Sequence, residues 1–328
     1  MVGGHNQISE PAQFANATCH EESHVAILMA VFNGAAWLPD QLYSFKRQTH
    51  SNWSLLVSDD GSTDDSKDLI ACFARANRDT SVQLIDGPGQ GFAANFLKML
   101  CQVDDASEYI AFADQDDSWL PGKLERGIAA IAEVPVGTPA LYCGRTWVCS
   151  RRLRPKHPSQ EFKHKPSFEN AIVQNIGGGN TMVFNNAALK LLKLSLGGSL
   201  AVASHDWWVY QIVSGAGGKI IYDTEPMVLY RQHESNVIGA GNGLRATFAR
   251  LAMVLTGKYK GWNEMNIQAL YRAVSVMTPN NASLLRSFKT ARGTNFRTRI
   301  RMLFQSGIHH QTRLGNAGFW LAAVLNRV

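Results

Sequence analysis

Several features that define particular protein classes are missing from this sequence of 328 residues. No apolar run approaches the about 18 residues needed to cross a bilayer, which argues against a transmembrane helix. Residues 1–23 lack the basic start and apolar stretch of a signal peptide, so we expect a cytoplasmic protein with a flexible N-terminal lead-in. The five cysteines are an odd number without a CxxC pair. This argues against a disulfide framework and a structural zinc site, and we predict reduced, mostly buried thiols.

Acidic side chains are scarce in the last quarter of the chain. Residues 244–328 contain thirteen lysines and arginines but one acid, Glu264, whereas the preceding residues carry nineteen basic and twenty-five acidic side chains. Basic residues interleaved with Phe, Leu and Trp suit helices on an anionic membrane surface, and a helical subdomain packed on the core is the alternative. We predict a basic helical C-terminal extension over 244–328. Nucleic acid is not expected as a partner, because no binding motif accompanies the charge.

What the sequence does contain is an alternation of strands and helices. Seven apolar runs have strand length and lie at residues 24–32, 53–57, 81–86, 109–113, 181–184, 219–222 and 227–230. The segments between them carry apolar residues at helical spacing, with Ser62 and Asp64 as candidate N-caps of one helix and Ser204 at the start of another. This order predicts an open α/β sheet whose ligand crevice lies at the carboxyl ends of the strands.

Three polar clusters follow predicted strands, at Asn33, Asp59–Asp60 and Asp114–Asp117. They should converge at one edge of the sheet. The two carboxylates of Asp114-Gln115-Asp116 suit Mg²⁺ or Mn²⁺, with further coordination positions left for phosphate oxygens; an acidic turn that caps the next helix is the alternative. Asp60 offers a carboxylate to the imide N–H of a uracil or thymine ring, unless its segment is an ordinary Asp-Gly turn.

The order and spacing of these segments resemble the family 2 glycosyltransferases with the GT-A fold. The segments that carry the resemblance are Ala30-Val-Phe-Asn-Gly34, Ser58-Asp-Asp-Gly-Ser-Thr-Asp64, the loop 91–95 and Phe112-Ala-Asp-Gln-Asp-Asp-Ser-Trp-Leu-Pro121. Three later segments are similar to a subgroup of bacterial rhamnosyltransferases, namely Gly178-Gly-Asn-Thr-Met-Val-Phe184, His205-Asp-Trp-Trp208 and Tyr230-Arg-Gln-His-Glu-Ser-Asn-Val237. The resemblance implies a Rossmann-like nucleotide-diphospho-sugar transferase domain over 24–243, with a nucleotide-sugar half at 24–120 and an acceptor half at 121–243.

The resemblance also implies roles for individual residues. Asp60 matches the base-recognising carboxylate, and Asp206 matches the base that activates the acceptor, although Asp206 also suits a helix N-cap. The implied contacts to the nucleotide-sugar are Ala30, Phe32, Asn33, Asp60, Asn95, Asp114 and Arg231. The implied metal positions are Asp116, Asp114 and His233, of which Asp116 is the stronger candidate. The implied acceptor contacts are Gly178, Asn180, Trp207 and Trp208, with burial of a tryptophan in the core as the alternative.

The activity implied by the resemblance is an inverting, Mg²⁺- or Mn²⁺-dependent sugar transfer in bacterial surface polysaccharide synthesis, such as O-antigen, capsule or exopolysaccharide. The expected donor is dTDP-L-rhamnose, with UDP- and GDP-sugars as alternatives. The expected acceptor is a lipid-linked glycan, which would place the protein on the inner face of the cytoplasmic membrane. A non-catalytic sugar-nucleotide or polysaccharide-binding module is the hypothesis from a different class.

Overall fold

A computed structural model describes residues 23–197, 201–233 and 256–328 of the chain. The strands are β1 (Val25–Val31), β2 (Trp53–Asp59), β3 (Val82–Asp86), β4 (Tyr109–Asp114), β5 (Ser118–Trp119), β6 (Ala140–Cys149), β7 (Pro155–Pro158), β8 (Val183–Asn185) and β9 (Lys219–Arg231). The helices are α1 (Leu38–Lys46), α2 (Ser66–Ala76), α3 (Phe92–Gln102), α4 (Lys123–Ala132), α5 (Phe168–Ala171), α6 (Asn186–Ser195), α7 (His205–Gly215), α8 (Lys258–Arg272), α9 (Pro279–Arg292), α10 (Phe296–Gln305) and α11 (Arg313–Val324).

The strands form one mixed sheet in the order β3-β2-β1-β4-β8-β6-β9-β5, with β7 paired to β6. The first four strands are parallel, and their register places Val31 opposite Asp59 and Ala30 opposite Asp114. The predicted convergence of the strand ends at one edge of the sheet is therefore confirmed. The sheet runs without interruption through both predicted halves of the domain, because β8 joins β4 to β6.

Apolar side chains cover both faces of the sheet, which explains why the central strands are continuous apolar runs. On one face, residues such as Ile27, Phe45 and Leu124 form a core with α1 and α4. On the other face, the core contains Phe112 and Trp208 and extends into the C-terminal helices. The C-terminal contribution to this core includes Leu270, Leu285, Phe288 and Phe319. The described part of the basic extension thus packs on the sheet domain.

The structure corrects three local predictions. The strands predicted at 219–222 and 227–230 are one continuous strand, β9, which follows β6 across a register shift between Gly144 and Thr146. Ser62 and Asp64 do not occupy the N-cap of α2, because Asp65 holds that position. The thiols are not mostly buried, since the described ones divide evenly. Cys143 and Cys149 are buried, and Cys72 and Cys101 are exposed.

Other predictions hold or fall outside the described residues. Helix α7 begins directly after Ser204, as predicted. Within the described ranges, every helix is too short or too polar to span a bilayer. The predicted lead-in lies outside the description except for Ser23, and the boundary at residue 243 and the first stretch of the extension, residues 244–255, lie outside it entirely.

Candidate active site

The loops that follow β1 and β2 are tied together at the carboxyl edge of the sheet. Asn33 has a left-handed backbone with φ of 48°, which asparagine tolerates better than most side chains. Its backbone N–H donates to Ser62 Oγ at 2.8 Å, and its Oδ1 accepts the Thr63 N–H at 2.8 Å. The Asp64 carboxylate accepts the Ala35 N–H at 2.9 Å. Ser62 and Asp64 therefore join the two loops, and Asp64 also accepts the N–H of Ser66, the first residue of α2, at 3.1 Å.

Gln115, between the two predicted metal carboxylates, pairs with the backbone of Phe32. Its Oε1 accepts the Phe32 N–H at 2.9 Å, and its Nε2 donates to the Phe32 carbonyl at 3.0 Å. Gly34 leaves room for this amide, since a Cβ there would lie 2.3 Å from Gln115 Oε1. The Phe32 ring is 56% exposed at the edge of the crevice. Gln115 is not among the predicted site residues, because nothing in the motif indicates which loop its amide faces.

The Asp60 carboxylate organises the glycine loop before α3. Its two oxygens accept the N–H groups of Gly89 at 2.7 Å and Gly91 at 2.8 Å. Each oxygen keeps a further lone pair, so Asp60 can still receive a donor from a nucleobase. Asn95 differs from its prediction as a nucleotide contact. It is 1% exposed, and its Nδ2 donates to the Ser58 carbonyl at 2.8 Å, so it holds α3 against β2.

Asp114, at the end of β4, lies close to two other carboxylates. Burial, together with the neighbouring negative charges of Asp116 and Asp206, raises the pKa of Asp114 to about 8. Asp116 lies 2.7 Å from His233, measured between Oδ2 and Nε2. The side chains of Asp116 and His233 keep exposed fractions of 19% and 10%. The edge of the sheet therefore concentrates negative charge that a cation would offset.

Asp116 and His233 offer two ligands to that cation. In the described part of the chain no three His, Cys, Asp or Glu side chains converge on a single point, so the residues described there do not form a complete metal cage. Mg²⁺ characteristically binds one or two carboxylates and completes its octahedron with water and substrate phosphates. Neighbouring ligands at about 2.1 Å from such an ion lie about 3 Å apart. The 2.7 Å between Asp116 and His233 fits that spacing.

Asp117 lies beneath this edge, fully buried. Its carboxylate accepts a hydrogen bond from the Asn180 amide and one from the Arg231 N–H. Burial and the nearby carboxylates raise the pKa of Asp117 well above its usual range. Asn180 is 4% exposed and occupied with Asp117, which contradicts its predicted contact with the acceptor. Lys123 is a second residue absent from the predicted site. Its ammonium lies 3.5 Å from the centroid of the Trp119 ring. Burial lowers the pKa of Lys123 to about 7.

Arg231 connects the turn at residues 115–117, here called the Asp116 turn, to other parts of the molecule. Its guanidinium donates to the Asp116 carbonyl at 2.7 Å, the Arg151 carbonyl at 2.6 Å and the Asp40 carboxylate at 2.6 Å. The side chain is 3% exposed. This geometry contradicts the predicted direct contact with the donor, because the guanidinium is enclosed by protein acceptors. Arg231 instead fixes the turn that carries Asp116.

Asp206 is the one residue of α7 that is not buried. Its carboxylate accepts the Gly179 N–H at 3.1 Å and the Trp207 N–H at 2.7 Å, which fixes its orientation. Ser204 occupies the N-cap, so the alternative role of Asp206 as an N-cap is wrong. Gly178, a predicted acceptor contact, is exposed beside it.

The two tryptophans that follow Asp206 point into the core. Trp207 is 6% exposed and donates its Nε1–H to the Ala171 carbonyl at 2.6 Å, and Trp208 is fully buried. Neither ring offers a face to a sugar. Their burial contradicts the predicted stacking. The alternative placed one tryptophan in the core, and the structure places both there.

A family model described as Glycosyl transferase family 2 matches residues 26–192, slightly more than half of the chain. The chain belongs to glycosyl transferase family 2. The family and the enzyme class expected from the sequence are thereby confirmed.

Two curated proteins and one solved structure illustrate the similarity. The dTDP-rhamnosyl transferase RfbG of Shigella flexneri is 27% identical over 242 residues, which cover 71% of this chain and 81% of that protein. The UDP-Glc:alpha-D-GlcNAc-diphosphoundecaprenol beta-1,3-glucosyltransferase WfgD of Escherichia coli is 30% identical over 105 residues, which cover 32% of this chain and 40% of that protein. S. aureus TarS 1-349 has a TM-score of 0.50 at 13% identity, and the match covers 87% of this chain and 90% of that one. This likeness shows the fold, a mixed α/β GT-A arrangement followed by C-terminal helices.

Proposed function

We propose that this family 2 member is an inverting glycosyltransferase that moves a sugar from a nucleotide diphosphate to a hydroxyl of a glycan. One observation carries the proposal. Asp206, the sole accessible residue of an otherwise buried helix, faces the same edge of the sheet as Asp114 and Asp116 and is close enough to raise the pKa of Asp114. A structural acidic turn would not need carboxylates from two distant parts of the chain to meet.

The chemistry assigns different work to the two sides of this crevice. When the nucleoside diphosphate leaves the anomeric carbon, negative charge develops on its β-phosphate, and a divalent cation held by Asp116 and His233 would supply Lewis-acid stabilisation of that charge. On the opposite face of the sugar, Asp206 accepts the proton of the attacking hydroxyl. Its two backbone hydrogen bonds hold the carboxylate in one orientation. A single displacement of this kind inverts the anomeric configuration.

For the donor we propose dTDP-L-rhamnose. The name of RfbG, which aligns with 71% of this chain, supports this choice. The exposed ring of Phe32 and the carboxylate of Asp60 provide a hydrophobic wall and an acceptor for the imide N–H of a thymine base. UDP- and GDP-sugars remain the competing donors, and a uracil ring would use the same Asp60 contact.

For the acceptor we propose a lipid-linked glycan of a bacterial surface polysaccharide. WfgD, whose name specifies a diphosphoundecaprenol acceptor, supports this class. The C-terminal helices add a second reason, since they expose large apolar side chains beside arginines. The exposed large apolar residues in the described part of this region are Met265, Phe296, Phe304, Leu314, Leu321, Val324 and Leu325. Such a surface suits a peripheral contact with an anionic membrane.

The Asp206→Asn variant tests the proposal. Calorimetry with dTDP-, UDP- and GDP-sugars, with and without Mn²⁺, first identifies the donor. Transfer by Asp206→Asn should then fall by about 10²- to 10⁴-fold while donor binding is retained, because general-base catalysis contributes that much. Asp79→Asn, an exposed carboxylate on another surface, is the matched control. Unchanged transfer would remove Asp206 from the base role, and binding without any transfer by the wild type would favour a sugar-nucleotide-binding module.

A further inference from the structure

A basic cleft lies beside the Asp116 turn, and the function proposed above does not use it. The cleft has a volume of about 560 Å³. Its walls are formed by the β6–β7 turn, the start of α1 and the end of β9, and they consist of Trp37, Asp40, Arg151, Arg152, Leu153 and Arg231. Three guanidiniums and one carboxylate line this space, and the carboxylate is already paired with Arg231 at 2.6 Å. The cleft therefore presents a surplus of positive charge.

Arg151 and Arg152 are the two guanidiniums that remain open to a ligand. Both residues are exposed, and across residues 23–197, 201–233 and 256–328 neither takes part in a salt bridge. Arg151 lies over the ring of Trp37, with 5.1 Å between the guanidinium carbon and the ring centroid. Because a guanidinium presents several N–H donors in a fixed plane, two of them in one cleft suit the oxygens of a phosphate or diphosphate.

The turn that carries these arginines is fixed in position. Within the turn, the Ser150 N–H donates to the Arg154 carbonyl at 2.9 Å, and the Leu153 N–H donates to the Ser150 carbonyl at 3.0 Å. Leu153 takes a left-handed backbone with φ of 54°, a conformation that a leucine rarely adopts. The Arg151 carbonyl is bound by the buried Arg231. A ligand therefore meets a pre-organised turn, which reduces the entropy lost on binding.

The cleft is a separate space that adjoins the Asp116 turn. The Trp37 ring stacks on His233 with 5.0 Å between centroids, and His233 in turn contacts Asp116. Trp37 and Leu153 also give the cleft an apolar wall. A lipid diphosphate has a charged diphosphate and a hydrocarbon chain, so it matches both the basic and the apolar parts of this lining.

We propose that Arg151 and Arg152 bind the phosphate or diphosphate that links the acceptor to its lipid, next to the donor site. This inference rests on the lipid-linked acceptor of the proposed function. The two diphosphates would then bind at separate places. The donor diphosphate would bind the cation held by Asp116 and His233, and the acceptor diphosphate would bind in the cleft. The other source of the same chemistry, the donor diphosphate itself, is distinguished by the test.

The test measures binding of two probes by calorimetry to the full-length protein. Farnesyl diphosphate is titrated in EDTA, so that no metal ion can recruit it to Asp116, and dTDP is titrated with Mn²⁺. The double variant Arg151→Gln/Arg152→Gln should bind farnesyl diphosphate at least tenfold more weakly than the wild type and dTDP within twofold of it. Inorganic pyrophosphate should displace farnesyl diphosphate from the wild type. Arg75→Gln/Arg78→Gln removes the same charge from the exposed surface around α2 and should leave both affinities unchanged.

Three results would overturn the assignment. If the wild type does not bind farnesyl diphosphate, or the double variant binds it as tightly, the cleft is not a diphosphate site. If pyrophosphate fails to compete, the probe binds an apolar surface instead. If dTDP binding weakens together with farnesyl diphosphate binding, the arginines belong to the donor site. Failure of the proposed function has a different signature, in which no nucleotide binds but farnesyl diphosphate still binds in an arginine-dependent manner.

Discussion

Replacing His205 by leucine should remove an acid-sensitive weakness from the protein core. His205 is 3% exposed and stacks on Phe96 with 3.9 Å between ring centroids. Neither ring nitrogen has a hydrogen-bond partner in the described residues. Burial lowers the pKa of His205 to about 4, and the nearby Asp206 offsets this only in part. The folded protein therefore resists protonation of this ring.

The size of the effect follows from the difference between the folded and unfolded pKa. Above the unfolded pKa of about 6.5, His205 is neutral in both states and has no effect on the pH dependence of stability. As the pH falls from 6.5 towards 4, the unfolded chain binds a proton that the folded protein does not bind, so stability is lost. With a folded pKa of about 4, the loss between pH 7 and pH 5 amounts to about 2 kcal/mol.

Urea unfolding of the wild type and His205→Leu at pH 7 and pH 5 measures this loss. The other histidines titrate in both proteins, so the difference between the two pH dependences isolates His205. The wild type should lose about 2 kcal/mol more than the variant on acidification. Phe45→Leu is the control, because it loosens the core on the other face of the sheet without removing a titratable group or uncovering His205, and it should lower stability equally at both pH values. A variant with the same pH dependence as the wild type would refute the reasoning.

Two further predictions concern the crevice and the thiols. Gly34→Ala places a methyl group 2.3 Å from Gln115 Oε1, so the two hydrogen bonds between Gln115 and Phe32 should break. Urea unfolding should show a loss of about 1 kcal/mol for each bond, and nucleotide binding should weaken. Gly261→Ala is the control, because a methyl group there enters open space and should be neutral or stabilising. Equal stability of Gly34→Ala and the wild type would exclude this role of Gln115. Burial raises the pKa of Cys143 to about 12 and that of Cys149 to about 11. Both should react with Ellman's reagent only after unfolding, whereas early reaction would contradict their burial. The exposed thiols that should react in the native protein are Cys72 and Cys101.

The arrangement of the crevice could be predicted because it follows from the sheet. Strands buried on both faces are continuous apolar runs, and adjacent parallel strands bring their following loops to one edge. The positions of Asn33, Asp60 and Asp114 required nothing beyond this. The position of Asp206 could not be predicted in this way, because strands and helices alternate less regularly in the second half of the sheet domain. Asp206 was predicted from the family resemblance instead.

Buried polar residues could not be assigned from the sequence. Asn95 and Asn180 stand in motifs that suggest ligand contacts, yet their amides pair with the Ser58 carbonyl and the Asp117 carboxylate inside the protein. A short polar side chain in a motif looks the same whether it faces a ligand or a neighbouring strand. Only the distance between elements far apart in the chain decides between the two, and the sequence does not contain that distance.

The same limit applies to Trp208 and to the C-terminal extension, because their packing depends on contacts between distant parts of the chain. The core that contains Trp208 also contains Phe96, Leu285 and Phe319, each more than fifty positions away in the chain. The Asn281 amide donates to the Ser214 and Gly215 carbonyls at 3.1 and 3.0 Å, and these bonds cap the C-terminal end of α7. The extension therefore holds in place the helix that presents Asp206, while its outer face remains exposed.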